Sequence, residues 1–383
     1  MKRLAVLGSS GTIGAYVLNV ARKYPQKFKI KSLCVYNNIQ SLISSAWEFL
    51  PEAVGVSDPN IDYNYLKEQL PPNTKIYIGE QALEQTVVSD NIDVVAAASS
   101  GIASLKAVML GLSQGKTIAL ANKEVLVSGG EIIMKAAKKD QILPIDSEHS
   151  AVFQCLQKET PKSVKKIILT ASGGAFFGKT KNELKDVTPK QALEHPNWSM
   201  GKKITIDSAT MMNKGLEIIE AKHLFHINNI DYVIHPQSII HSMVEFIDSS
   251  IIAQAANPSM EIPVLYALSY PERLPSELKP LDFSNMSLSF FAPDEFNFPF
   301  PKLARFAYNK GGLTPAVMVA ADQKAVELFL DYKIGFLDIY ELVEYCVTNL
   351  TYNDNITIEN ILTVEKTVRE YLEKDYNKIL KRL

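Results

Sequence analysis

From Lys2 to about Ser147, short apolar runs alternate with segments of helical spacing. The runs are K-R-L-A-V-L-G from Lys2, K-I-K-S-L-C-V-Y from Lys29, A-V-G-V from Ala53, K-I-Y-I from Lys75, D-V-V-A-A-A from Asp93, T-I-A-L-A from Thr117 and I-L-P-I-D from Ile142. They are rich in Val and Ile and almost continuously apolar, as expected of strands covered on both faces. Between them, Ile13–Lys23 and Ile102–Ser113 repeat apolar residues at helical intervals. The alternation predicts an α/β chain whose N-terminal part is a doubly wound, Rossmann-type parallel sheet.

The pattern loosens after Ala151. V-K-K-I-I-L-T from Val164 predicts a strand running into the glycine loop Ala171–Gly174. A polar segment with Pro189 and Pro196 leads to Lys203–Asp207, then to one helix from about Ala209 to Phe225. D-Y-V-I-H from Asp231 follows, then H-S-M-V-E-F-I and I-I-A-Q-A, which read as a hairpin turning at Asp248-Ser249-Ser250. Strands grouped around a helix suggest an α+β domain. Residues 271–302 hold six prolines and several Phe with little periodicity, a connection expected to pack by its aromatics. The remainder is helical, ending in an amphipathic segment Ile358–Leu380. The expected division is 1–147 for a dinucleotide, 148–270 as an α+β catalytic, metal- and substrate-binding domain, 271–302 as connector and 303–383 as a C-terminal helical domain.

Composition changes this picture little. At 383 residues, 46% hydrophobic and 21% charged, the chain reads as ordinary globular protein, and a formal net charge of -2 gives no basic excess for nucleic acid or an anionic membrane. Cys34, Cys155 and Cys346 are too few and scattered for a disulfide frame or zinc cluster. The N-terminus lacks a signal-peptide pattern, and no apolar run approaches the ~20 residues that span a bilayer. The expectation is a cytoplasmic protein.

Four stretches carry chemistry. G-S-S-G-T-I-G places Gly8, Gly11 and Gly14 between the first strand and first helix, where glycine lets backbone approach a pyrophosphate at a helix N-terminus. After the second strand, where an acid would select NAD and a base NADP, stand Tyr36, Asn37 and Asn38, and the choice stays open. I-D-S-E-H-S puts Asp146 and Glu148 at i and i+2; read as an extended segment, the two carboxylates converge on one face and suit Mg²⁺ or Mn²⁺. Alone, such a triplet is more often a solvated strand end. S-A-T-M-M-N-K-G-L-E adds Asn213, Lys214 and Glu217 near one helical face, with Ser208 close to the helix start and Gly215 pointing to a close approach by another group. Glu217 would complete an oxygen-rich metal site; the bland alternative is an exposed Lys–Glu pair. E-H-P-N-W-S-M-G, Glu194–Gly201, either buries Trp198 and Met200 or closes them over a ligand as a lid. His223, His226, His235 and His241 read as surface, core or pocket-lining residues.

G-S-S-G-T-I-G, A-N-K-E from Ala121, D-S-E-H-S-A from Asp146, A-S-G-G-A-F from Ala171, H-P-N-W-S-M-G from His195, D-S-A-T-M-M-N-K-G-L-E from Asp207 and H-P-Q-S-I-I-H-S-M-V from His235 occur in that order. Together they resemble the 1-deoxy-D-xylulose 5-phosphate reductoisomerase family. The resemblance implies that Asp146, Glu148 and Glu217 hold a divalent cation, and that Ser172, Ser208, Asn213 and Lys214 hold the substrate phosphate and its surroundings. It places Ser147 and Lys123 near the sugar oxygens, His195 at the phosphate end, Trp198 over the substrate and Met200 over the nicotinamide. Asp146, Glu148, Glu217, Lys123 and His195 are the implied catalytic set. Ser10, Gly11, Thr12 and Ile13 would take the cofactor phosphates, with Asn37, Asn38, Asn122, Glu124, Met200 and Gly201 also on the cofactor. The implied reaction is a metal-dependent retro-aldol/aldol rearrangement of a phosphorylated sugar, then reduction by NADPH to 2-C-methyl-D-erythritol 4-phosphate, in a homodimer. Two departures stand out: Tyr36 and Asn37 replace a usual Gly followed by Lys or Arg, and Asn257 and Glu261 replace a small residue and Arg, with structural consequences expected. The competing readings are a metal-independent Rossmann-type dehydrogenase of a sugar phosphate or semialdehyde, and a dinucleotide-sensing binding protein.

Overall fold

The computed structural model describes residues 1–195, 198 and 200–382. Pro196, Asn197 and Ser199, three members of the expected lid, lie outside the described residues, as does Leu383. The chain forms two compact units, each continuous only through several crossings: Met1–Val125, Ile133–Ser150 and Ser259–Glu277 in the first, Leu126–Ile132, Ala151–Pro258 and Leu278–Leu383 in the second.

The first unit is built on seven strands, β1 (Lys2–Leu7), β2 (Phe28–Val35), β3 (Ala53–Val56), β4 (Lys75–Ile78), β5 (Val94–Ala97), β6 (Thr117–Leu120) and β7 (Ile142–Pro144). All pair in parallel in the order β4-β3-β2-β1-β5-β6-β7. Leu4, Ala5, Val6 and Leu7 are fully buried, which is why β1 reads as an unbroken apolar run at the centre of the sheet. The strand order reverses between β1 and β5, so the turns leaving their C-terminal ends diverge and open a crevice there. The helix Glu261–Ser269 returns to this unit and packs on the helix Thr12–Lys23 and on β6 and β7. Lys2 Nζ donates to Leu268 O at 2.8 Å and Tyr270 O at 2.7 Å, satisfying carbonyls at that helix's C-terminal end. Glu261, one of the departures, accepts from Ser276 Oγ at 2.8 Å and so acts within this packing.

The second unit carries the sheet β11-β10-β8-β9, made of β8 (Val164–Ala171), β9 (Ile230–Ile234), β10 (Ile240–Phe246) and β11 (Ile251–Ala255). β8 and β9 are parallel, while β10 pairs antiparallel with β8 and β11. The β10–β11 hairpin turns where Asp248 Oδ1 accepts from Ser250 N (3.0 Å) and Ser250 Oγ (2.6 Å), with Ser249 left-handed at φ +70°. The crossover from β8 to β9 differs from the single helix expected. Lys202–Thr210 and Met212–Phe225 are separate helices, broken at Met211, whose φ is +66°. Ser208 therefore sits in the last turn of the first helix and not at the start of the second. The close approach signalled by Gly215 is the helix Phe300–Lys310: a Cβ there would lie 3.0 Å from Ala304 Cβ and 3.2 Å from Phe300 O. The final helix, Ile358–Leu380, buries Ile361, Val364, Val368, Leu372 and Ile379 at helical spacing and packs on Thr314–Leu330.

The 271–302 segment packs through its aromatics only in part. Phe298 and Phe300 are buried, but Phe283 and Phe296 are 64% and 79% exposed. A backbone bridge between Ile234 and Phe291 holds it to β9, and Phe290 stacks on His235 at 4.6 Å. Among the described residues no helix is long and apolar enough to cross a membrane.

Candidate active site

In the first unit the turn after β1 is shaped by contacts that forbid side chains. Gly8 has φ +79°, and a Cβ on it would meet Ala98 O at 2.6 Å; a Cβ on Gly14 would meet Gly8 O at 2.3 Å. Gly8 N and Ser9 N both donate to Cys34 O at 2.9 Å, tying the turn to the end of β2. The helix Thr12–Lys23 then starts at Gly11 with no side-chain cap and no acid in its first turn. Its leading N–H groups and dipole suit a phosphate, so the Ser10–Ile13 stretch fits a dinucleotide pyrophosphate. Asn38 Oδ1 caps the helix Ile39–Phe49 by accepting from Ser41 N at 3.2 Å, while Tyr36 and Asn37 are exposed. Asn122 is buried; its Oδ1 accepts from Val125 N at 3.1 Å and its Nδ2 donates to Gly101 O at 2.5 Å and to Ser99 O. It thus locks the ends of β5 and β6 together. Glu124 lies in the first turn of the helix Lys123–Ala136 that follows.

Asp146 and Glu148 are not on an extended strand. β7 ends at Pro144, and Ser147–Cys155 is a helix. Asp146 stands just before it and accepts from Glu148 N at 3.2 Å, the arrangement of an N-cap, because an aspartate there satisfies an amide that the helix leaves free. The two carboxylates are therefore brought to the same end of the unit by a cap and a first helical turn, not by strand alternation. Lys123 Nζ lies 2.6 Å from Asp146 Oδ2, and both side chains are buried. Burial of either charge alone would be costly, so each requires the other. Ser147 Oγ donates to the Glu148 carboxylate. His149 Nδ1 lies 3.5 Å from Asp146 Oδ1, a neighbour the sequence reading left unassigned although it stands three residues along the same helix. Buried and half-buried carboxylates with a hydroxyl between them form a hard-oxygen donor set that fits Mg²⁺ or Mn²⁺.

The second unit holds a different cluster. His195 Nε2 lies 3.0 Å from Ser172 Oγ and 3.1 Å from Ser208 Oγ. Trp198 N donates to His195 Nδ1 at 3.1 Å, so the neutral ring carries its proton on Nε2, facing the two hydroxyls. Burial lowers the His195 pKa from its usual value, which keeps the ring neutral. Ser172 is fixed in turn by the glycine loop: Gly174 N donates to Ser172 Oγ at 3.2 Å, and a Cβ on Gly174 (φ +67°) would meet Ser208 O at 2.4 Å. The loop can lie against the end of the Lys202–Thr210 helix only because Gly174 has no side chain. One ring N–H and two hydroxyls converge, the donor geometry that a phosphate requires.

On the Met212–Phe225 helix, Asn213, Lys214 and Glu217 share one face. Asn213 Nδ2 donates to Glu217 Oε1 at 2.5 Å, and Lys214 Nζ donates to Glu217 and, at 2.5 Å, to Thr170 O. Lys214 and Glu217 are 2% and 1% exposed, which rules out a solvated surface pair. Met200 is half-buried, and Gly201 precedes the Lys202–Thr210 helix as its N-cap residue, with Thr205 Oγ1 donating to Gly201 O at 2.8 Å. The Trp198 ring is 6.3 Å from that of His241, whose pKa burial pushes down to about 4. His235 is structural: its Nε2 accepts from Ile239 N (3.1 Å) and Ile240 N (3.2 Å). His223 is half-buried over Gly130, where an added Cβ would meet its ring at 2.4 Å. Sequence reasoning missed the buried group of Lys203 with Asp207 (2.5 Å) and Asp322 (2.6 Å). The first pair has i, i+4 spacing, but nothing local announces Asp322.

Three family models cover most of the chain. The one described as 1-deoxy-D-xylulose 5-phosphate reductoisomerase matches residues 4–130, and two for C-terminal domains of the same enzyme match 142–225 and 255–371. A reductoisomerase of that name from Thermoanaerobacter pseudethanolicus is 48% identical over 382 residues, covering 98% of this chain and 100% of the relative. Another from Desulfitobacterium hafniense is 44% identical, covering 96% and 98%. Among solved structures, a DOX-P reductoisomerase in complex with NADPH, fosmidomycin and magnesium superposes with a TM-score of 0.92 at 39% identity, covering 100% of this chain and 99% of that one. The Zymomonas mobilis enzyme in complex with NADPH gives 0.90 at 38% identity, covering 98% of each. Shared length, order of motifs and fold leave one assignment: this chain belongs to the 1-deoxy-D-xylulose 5-phosphate reductoisomerase family.

Proposed function

We propose that this chain converts 1-deoxy-D-xylulose 5-phosphate to 2-C-methyl-D-erythritol 4-phosphate, with NADPH as reductant and a divalent cation, Mg²⁺ or Mn²⁺, in the non-mevalonate isoprenoid pathway. The observation that carries the reading is the convergence of the His195 ring N–H with the Ser172 and Ser208 hydroxyls, in a chain of this family. These three groups would bind the substrate phosphate, with Asn213 and Lys214 beside it. Anchoring the substrate there, away from the reacting carbons, supplies binding energy for orientation. Asp146, Glu148 and Glu217 would hold the cation, which when bound polarises a carbonyl as a Lewis acid, while NADPH supplies the hydride. Lys123, held by Asp146, and Ser147 would face the sugar oxygens, where an ammonium and a hydroxyl favour negative charge on oxygen. Trp198 and Met200 would cover the substrate and nicotinamide and exclude water, and Ser10–Ile13 would hold the cofactor phosphates.

The protein would act in the cytoplasm as a homodimer. The edge strand β11 supports self-association, with Ile251 and Ile252 exposed and Ile247 exposed just before it. A metal-independent dehydrogenase working through a thiol has no support: Cys155 is buried, and burial pushes its pKa up to about 11. The test mixes folded protein with NADPH, Mn²⁺ or Mg²⁺ and 1-deoxy-D-xylulose 5-phosphate and follows absorbance of the reduced nicotinamide. Metal-dependent oxidation is expected; none with either metal would sink the proposal.

A further inference from the structure

The turn after β1 fits a pyrophosphate, but the surroundings of the adenosine 2′ position do not fit a phosphate. In a sheet of this order that position lies at the C-terminal end of β2, next to the turns that leave β1, β3 and β4. Those four turns are Gly8-Ser9-Ser10-Gly11, Tyr36-Asn37-Asn38, Ser57 to Asp62, and Gly79-Glu80-Gln81. None contains Lys, Arg or His, and the sequence carries none of the three anywhere from Ser32 to Leu66. The charges they do carry are negative: Asp58, Asp62 and Glu80.

The structure brings these turns together. Asp58 N donates to Tyr36 O at 3.0 Å and Ser57 N to Val35 O at 3.0 Å, so the turn after β3 lies alongside the end of β2. A Cβ on Gly79 would lie 3.9 Å from Pro59 Cβ, which sets the turn bearing Glu80 against the one bearing Asp58. The Asn38 carboxamide oxygen is already engaged as a helix cap, accepting from Ser41 N. What the end of β2 offers is uncharged, the exposed Asn37 and Asn38 amides, beside carboxylates of which Asp58 and Asp62 each use one oxygen in local turns. A 2′-phosphate, by contrast, carries close to two negative charges at neutral pH and would face like charge without a cation.

We infer that this enzyme does not select for the 2′-phosphate, and that it binds and uses NADH about as readily as NADPH. Tyr36-Asn37-Asn38 and Asp58 set this relaxed specificity. The inference rests on the functional reading only in taking a reduced nicotinamide dinucleotide as the ligand.

Direct binding decides it, by titrating the full-length protein with NADPH and with NADH and following nicotinamide fluorescence, in low and moderate salt. The two dissociation constants are expected to agree within about tenfold, and added salt should favour NADPH relative to NADH by screening Asp58 and Glu80. Asn37→Lys should shift the ratio of the two dissociation constants by about tenfold toward NADPH, since it supplies a charge-assisted contact to the phosphate. Asp58→Asn should move the ratio the same way by a smaller factor. NADPH binding more than about tenfold tighter than NADH would mean that a cation reaches the site from elsewhere, and the inference would be wrong. These constants are obtained whether or not 1-deoxy-D-xylulose 5-phosphate is turned over, so loss of the functional reading would register separately as absent oxidation by a protein that binds both dinucleotides.

Discussion

The two candidate anion sites of this molecule are made in opposite ways. In the first unit the turn after β1 presents backbone: glycines at 8 and 14 clear the space, and an uncapped helix start supplies the donors. In the second unit the donors are side chains, His195, Ser172 and Ser208, each fixed by further contacts from Trp198 N, Gly174 N and the loop behind them. A backbone site is insensitive to which side chains surround it, so neighbouring positions such as Tyr36 and Asn37 can change without destroying it. It fails when a side chain is added. A side-chain site fails when one is removed, and it can recognise a single shape of ligand.

Replacing a buried carboxylate in the second unit should give the largest effect. Glu217→Gln keeps the size of the side chain but removes the charge proposed to hold the cation. If Glu217 holds the cation as proposed, turnover should fall by about 10³-fold while the NADPH dissociation constant stays within about twofold. Steady-state kinetics and fluorescence titration on one preparation check this. Weak NADPH binding with normal turnover would refute the metal role. The converse pattern is expected from Gly14→Ala. A Cβ there would stand 2.3 Å from Gly8 O and 2.7 Å from Ser9 Cα, so the turn must open. NADPH and NADH should both weaken by about a hundredfold, because overpacking at a backbone contact costs on the order of 1–3 kcal/mol and misplaces the helix amides. If Gly14→Ala bound the cofactor normally, the backbone account of this site would be wrong.

Legibility in the sequence follows the same division. The seven strands of the first unit announce themselves because burial on both faces demands continuous apolar runs, and G-S-S-G-T-I-G marks its turn because only glycine fits. Asp146 and Glu148 were identifiable as residues, but their geometry was not. Reading on from the apolar run I-L-P-I made the segment look extended, although an Asp before Ser-Glu is equally a helix start, and the structure uses it so. The break at Met211 leaves no trace in A-T-M-M-N, which contains neither Gly nor Pro; a left-handed methionine is imposed by tertiary packing. Asp322 beside Lys203, and Glu261–Ser269 returning to the first sheet, depend on contacts between residues far apart in the chain, which no local pattern encodes. The aromatics of 271–302 misled because Phe signals burial only on average, and here Phe283 and Phe296 are exposed.

The smallest expected effect separates the units by acid. Of the six histidines, His149 belongs to the first unit, and His195, His223, His226, His235 and His241 belong to the second. Burial is the main cause that lowers the pKa of His223 and of His241, each from 6.5 to about 4. Between pH 6.5 and about 4 the unfolded chain binds protons at these rings that the folded chain does not. Their neutral burial therefore stabilises the second unit fully above pH 6.5, and that contribution is lost as pH falls toward 4. Each ring should add about 1.4 kcal/mol per pH unit to the slope of stability across that window. Hydrogen exchange followed from pH 7 to pH 4, corrected for intrinsic rates, should show protection lost first in the second unit. His223→Gln should flatten the slope by about one ring's share, since Gln takes up no proton there. An unchanged slope in this variant would mean that His223 takes up its proton in the folded protein as readily as in the unfolded chain, and that the acid sensitivity of the second unit has another source.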